Sequence, residues 1–133
     1  NKKVYYDAVK RGILVNVVDR PEFCSFIVPA TIIRGDLSIS ISTGGASPSL
    51  ARNIRESLEK QFGDEYGDFA GLLSEMRRKI LSEISDESIR RDILQRIAGL
   101  DMLNVVKEKG VAEAKKKILE FISEKIHRKS LPS

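Results

Sequence analysis

The chain has 133 residues, enough for one core or for two small units sharing one. Charged residues make up 32% and hydrophobic ones 41%, and the formal charge of +4 disperses 23 basic among 19 acidic residues, without the basic stripe or aromatic platform of a nucleic-acid binder. One cysteine and one histidine exclude a disulfide framework and a dedicated soft-ligand metal site, and no apolar run reaches the roughly 20 residues of a membrane span, so a reducing, cytoplasmic setting is expected.

The chain opens on Asn1-Lys-Lys without a methionine and is helical in pattern at once, as expected for a piece of a longer protein. Val4, Tyr5, Ala8 and Val9 recur at helical spacing, and Gly12 stands where a glycine closes a helix. Residues 13–18 are apolar on both faces except for Asn16, which predicts a strand buried in a parallel sheet. Helix, glycine and buried strand together read as the last αβ unit of a Rossmann-like, doubly wound domain. Asp19 follows that strand, at the carboxyl edge where open α/β sheets place their ligands.

Arg20-Pro21 breaks the chain, and residues 23–33 are rich in β-branched and aromatic types. Pro29 inside that run predicts an edge position, a bulge or a strand break. Cys24 reads as a small buried hydrophobe. Arg34-Gly35-Asp36 turns the chain, and residues 37–43 alternate strictly: Leu37, Ile39 and Ile41 to one face, Ser38, Ser40 and Ser42 to the other. That predicts a β-hairpin with one buried face.

Thr43-Gly44-Gly45-Ala46-Ser47 then joins strand to helix, with Ser47 as N-cap and Pro48 at the first helical position. Glycines let backbone approach a ligand, and free N–H groups at a helix start attract anions. The loop is not a Walker A motif, and no Gly-x-Gly-x-x-Gly occurs anywhere in the chain. Leu50, Ile54, Leu58 and Phe62 fall on one stripe of the helix, which Gly63 is expected to end.

From there the pattern is purely helical. Phe69, Leu72, Leu73, Met76 and Ile80 mark one amphipathic helix; Ile89, Ile93, Leu94 and Ile97 mark a second, stopped at Gly99. After a short piece at 102–106, Val111, Ala114, Ile118, Ile122 and Ile126 mark the last. His127 near its end reads as exposed, and Met76 and Met102 as core fillers.

Taken alone Asp19 fits a turn-capping aspartate ahead of Arg20-Pro21 better than a base; Asn16 in the strand before it and the glycine turn close in sequence make it the candidate base. Asn16 is the polar intruder in its strand, and the glycine turn with Arg52 is a candidate anion site.

Several blocks point further when read together. Asn16-Val-Val-Asp19, Phe26-Ile-Val-Pro29, Arg34-Gly-Asp-Leu37 and Ile41-Ser-Thr-Gly-Gly-Ala-Ser-Pro48, with Leu50-Ala-Arg52, strongly resemble the siroheme-synthase family. These are precorrin-2 dehydrogenases, some of them also sirohydrochlorin ferrochelatases. The resemblance is dense over residues 10–58 and keeps the order and spacing of every block.

The resemblance implies an α+β protein in three parts: residues 1–20 as the end of an NAD-binding Rossmann-like domain, 21–63 as a central β-hairpin dimerisation and substrate domain, and 64–133 as a helical domain. It further implies NAD as cofactor of the full-length protein, Fe²⁺ as a substrate, a tetrapyrrole substrate (precorrin-2, sirohydrochlorin), an intertwined homodimer, and neither nucleic-acid nor membrane partners. Asp19 takes the family's catalytic position, and Thr43 its hydroxyl position before the glycine pair, a serine open to phosphorylation in some relatives. Asn16, Thr43, Gly44, Gly45, Ser47 and Arg52 are the expected substrate-binding residues. The glycine-rich NAD loop is missing, so no cofactor-binding residue and no metal ligand is expected in these 133 residues. The competing expectation is a non-catalytic tetrapyrrole-binding or dimerisation module.

Overall fold

The computed structural model describes residues 2–17 and 20–129. It is a mixed structure of a two-stranded antiparallel hairpin and, among the described residues, six helices. The chain divides into two compact units, Asn1–Ile32 with Ile39–Gln61, and Ile33–Ser38 with Phe62–Ser133.

The first unit begins with α1 (Lys2–Lys10), which buries none of its residues. Gly12 adopts a left-handed φ of 67°; its N–H donates to the Val9 carbonyl (3.1 Å) and that of Ile13 to Ala8 (3.0 Å). This is the paired bonding of a Schellman motif, so Gly12 closes the helix as its position predicts. The helix is held by the Tyr5 ring, 5.4 Å from that of Phe23.

The strand predicted at 13–18 does not form over its described part. Residues 13–17 are extended without a strand ladder, and Leu14 is 72% exposed rather than buried. A parallel strand needs a neighbour on each side and cover on both faces, and the sheet among the described residues contains only the hairpin pair. What ties the segment to residues 24–26 is one backbone bond, Ser25 N–H to the Val15 carbonyl (2.7 Å), completed by side chains. The Val15 N–H donates to Ser25 Oγ (2.6 Å), that of Val17 to Cys24 Sγ (3.2 Å), and Asn16 Nδ2 to the Phe26 carbonyl (2.9 Å). Cys24 is half-buried, and its sulfur both accepts from the Val17 N–H and donates weakly to the Val17 and Arg20 carbonyls (3.4 Å each), so it is not plain core.

Pro21–Phe23 forms a single 3-10 turn, and the β-rich run 23–33 yields a strand only from β1 (Ala30–Arg34) onward. Pro29, which has no N–H for a ladder, therefore acts as a break. The turn at Gly35-Asp36, with Gly35 at φ 54°, leads into β2 (Leu37–Ile41). The predicted alternation holds: Leu37, Ile39 and Ile41 are half-buried while Ser38, Ser40 and Ser42 are exposed. On the polar face the Thr31 and Ser40 hydroxyls lie 3.1 Å apart, and on the other Ile32 is 2% exposed. The base of the hairpin belongs to the first unit and its tip, Ile33–Ser38, to the second.

α2 (Pro48–Glu59) starts as predicted, with Ser47 Oγ accepting the Leu50 N–H (3.2 Å) and Pro48 at the first position. It ends at Glu59, and Gly63 instead caps the start of the next helix, which corrects the expectation that Gly63 terminates α2. Its predicted apolar stripe is covered over its second half only: Leu50 and Ile54 are exposed, Leu58 and Phe62 are half-buried, and Ala51 alone in the helix is buried.

The second unit is a helical cluster of α3 (Asp64–Glu83), α4 (Glu87–Ile97), α5 (Leu100–Lys109) and α6 (Val111–Lys129). Phe69, Leu72, Met76 and Ile80 of α3 follow helical spacing and meet Ile93 and Ile97 of α4, Leu103 and Val106 of α5, and Ala114, Ile118 and Ile122 of α6 in one core. The piece at 102–106 is the middle of a full ten-residue helix bracketed by Gly99 and Gly110. Asp86 caps α4 by accepting the Ile89 N–H (3.1 Å). Gly67 lies against the hairpin tip so closely that a Cβ there would come within 2.7 Å of the Arg34 carbonyl carbon. Arg34 itself donates Nε to the Phe62 carbonyl (3.0 Å) and pairs with Asp64 at 3.5 Å.

Candidate functional site

The glycine turn is braced from within by hydroxyls. Gly44 and Gly45 take φ values of 63° and 86°, which residues with a Cβ rarely adopt. Ser42 Oγ accepts the Gly44 N–H (3.1 Å), Thr43 Oγ1 accepts that of Ser47 (3.0 Å), and the Thr43 carbonyl accepts that of Ala46 (3.1 Å). Ser47 Oγ holds Leu50. Most of the turn's donors are therefore spent on its own shape. Those of Gly45 and Ser49 have no acceptor among the described residues, and they sit at the positive end of α2.

Of the sequence-predicted substrate residues, Thr43, Gly44, Gly45 and Ser47 are thus assembled in this one turn. Arg52, one turn into α2, is exposed and pairs with Glu56 at 2.9 Å. That hydrogen bond, and then the charge of Arg52, hold the Glu56 carboxyl below its ordinary range. Asn16 spends its amide on the Phe26 carbonyl and so ties 13–17 to 24–26. Asp19 lies outside the described residues. Nearby, Glu22 is likewise held low, first by a backbone N–H and then by Arg20, 3.2 Å away.

Behind the turn lies a cavity of about 230 Å³ that the sequence did not reveal. Ile27, Val28, Ala30, Ile41, Pro48 and Ala51 supply apolar walls, and Thr43 and Gly45 line it as well. A Cβ on Gly45 would stand 3.5 Å from both Ile27 Cδ1 and Pro21 Cβ, so the turn packs directly on the segment leaving Arg20. Two contributors were missed by sequence reasoning. Ser42 was legible in principle, as a hydroxyl two residues ahead of a glycine N–H. The cavity had no signal, because its walls come from three separated stretches. Among the described residues no three His, Cys, Asp or Glu side chains gather to hold a metal, and no helix is long and apolar enough to cross a membrane.

Known families match these same segments. The family "Sirohaem biosynthesis protein central" matches residues 34–61, and "Putative NAD(P)-binding" matches residues 1–30. The siroheme synthase of Thioalkalivibrio sulfidiphilus is 40% identical over 97 residues, covering 73% of this chain and 20% of that protein. The siroheme synthase of Pseudomonas paraeruginosa is 44% identical over 91 residues, 68% of this chain and 20% of that one. The chain thus spans about a fifth of the length of these curated relatives. Among solved structures, "SirC, precorrin-2 dehydrogenase" superposes with a TM-score of 0.70 at 26% identity, over 93% of this chain and 60% of that one.

Proposed function

The chain belongs to the siroheme synthase family, and on that premise we propose that it forms part of an enzyme of siroheme biosynthesis that oxidises precorrin-2 to sirohydrochlorin and inserts Fe²⁺ to give siroheme. The observation that carries the reading is the braced turn at 43–47, which lies inside the family-matched segment and leaves two N–H donors at a helix start. A substrate rich in carboxylates suits such donors, and Arg52, paired with Glu56 at 2.9 Å, offers a cation one turn into α2.

Asp19 is the proposed base. Oxidation of precorrin-2 removes a hydride and a proton, and Fe²⁺ insertion releases the two pyrrole N–H protons; one positioned carboxylate serves both. The macrocycle brings its own nitrogen ligands to the iron. NAD is the proposed hydride acceptor of the whole protein, but the described residues do not fit it. The pyrophosphate needs a glycine turn between a first strand and its helix, whereas the only such strand-turn-helix among the described residues is 41–48, which holds no Gly-x-Gly-x-x-Gly. What the described residues contribute in this reading is substrate holding, with proton removal falling to Asp19.

The domain reading accompanies this: residues 1–20 as the end of a Rossmann-like NAD domain, 21–63 as a central β domain forming a homodimer, 64–133 as a helical domain, in a cytoplasmic protein. Support for the dimer comes from the exposed apolar side chains of the first unit and the free edges of a two-stranded sheet. Separate titrations of the chain with sirohydrochlorin and with NAD test the proposal. Absorbance changes with the tetrapyrrole and no calorimetric signal with NAD are expected. Tight NAD binding would overturn the division of labour; a chain that binds neither would remove the substrate site from this segment.

A further inference from the structure

We propose that the 230 Å³ cavity behind the glycine turn seats a methylated, reduced ring of the macrocycle and so selects for methylated substrates. The assignment rests on the tetrapyrrole reading above. It starts from a contrast between the two halves of the site. The turn offers N–H donors, while Ile27, Val28, Ile41, Pro48 and Ala51 wall the cavity with carbon and no ionisable group.

A uroporphyrin-type rim carries only acetate and propionate arms, and none of these enters an apolar cavity without losing its hydration. Precorrin-2 and sirohydrochlorin differ from that rim by two methyl groups, each on a tetrahedral carbon of a reduced ring. That same carbon carries an acetate. A methyl seated against the walls therefore brings a carboxylate to the cavity mouth, where Gly45 and Thr43 belong to both cavity and turn. The volume agrees, being below the roughly 300–1,000 Å³ of whole-ligand pockets and suited to one ring edge.

The test is a paired titration of the 133-residue chain with sirohydrochlorin and with uroporphyrin III, which has the same eight carboxylate arms and no ring methyls. The expected preference for sirohydrochlorin is about 10-fold, the lower end for a methyl-sized group in an apolar pocket. Ala51→Leu fills the cavity and should reduce the preference to near unity. Because Ala51 is buried, Val28→Ser gives a second reading at a side chain that is 67% exposed, with the preference falling about 3-fold. A wild-type chain binding both compounds equally overturns the assignment, as does a full preference retained in the folded variants. If the variants instead change the sedimentation of the chain with the preference intact, the cavity belongs to a second copy. Failure of both compounds to bind removes the tetrapyrrole reading itself, and this assignment with it.

Discussion

Thr43 is the residue on which the candidate site turns, because one hydroxyl holds the N–H of Ser47, the N-cap of α2, and with it the course of two glycines. Thr43→Val keeps the shape and removes the acceptor, leaving the Ser47 N–H without a partner. The expected cost is about 1 kcal/mol in denaturant unfolding, with weakened tetrapyrrole binding; Thr43→Ser should restore both. For Asp19, the expectation is that Asp19→Asn in the full-length enzyme lowers turnover by roughly 10²-fold or more with the circular dichroism unchanged. Wild-type rates would return Asp19 to a turn-capping role. Residue chemistry was legible where its partner is local. Ser47 before Pro48 announces a cap, since the acceptor and its N–H lie three residues apart. The sulfur of Cys24 accepting from Val17 was not, because apolar neighbours suggest burial and nothing in the string says that an extended segment lacks a strand to bond it.

Helix periodicity carried most of what could be foreseen of the elements, and glycine punctuation decided where it failed. Two glycines of α3 show how differently the same residue type acts. Gly67 faces the Arg34 backbone with no room for a methyl, and Gly71 faces open space. Gly67→Ala should destabilise the protein by about 1–3 kcal/mol through overpacking, whereas Gly71→Ala should stabilise it by about 0.5–1 kcal/mol through helix propensity. Thermal unfolding of the pair reads both signs. A second tie is electrostatic: Asp92 of α4 accepts Lys125 Nζ of α6 at 2.8 Å and Arg96 at 3.0 Å. These hydrogen bonds, that of Lys125 foremost, hold its carboxyl below the ordinary range. A lowered carboxylate contributes above its unfolded value, near 3.9, and the contribution fades as pH falls through the lower folded one. Asp92→Asn should therefore flatten the loss of thermal stability between pH 5 and about pH 2. The missing strand at 13–17 marks the limit of pattern reading. Local apolarity specifies a buried strand only when other strands are there to bury it.

At the scale of the whole molecule the two units are unequally finished. The helical unit closes a core of twelve buried side chains around α3, while the first unit leaves Leu14, Val28, Leu50 and others in water. Hydrogen exchange should show the contrast, with slow amides in α3 and α6 and fast ones in α1 and 13–17. Light scattering at micromolar concentration should report a homodimer, since an exposed apolar surface of this kind calls for cover; a monomer there would count against it. The tip of the hairpin bears on heredity as well as on packing. Ile33–Ser38 completes the helical unit, with Gly67 and Arg34 fitted to each other across some thirty intervening residues. A gene fragment beginning at codon 62 would encode the helices without the turn they were shaped against. Recombination between relatives can exchange this unit intact only by carrying two separate stretches of coding sequence together, so crossovers that fall between the hairpin and α3 should be selected against.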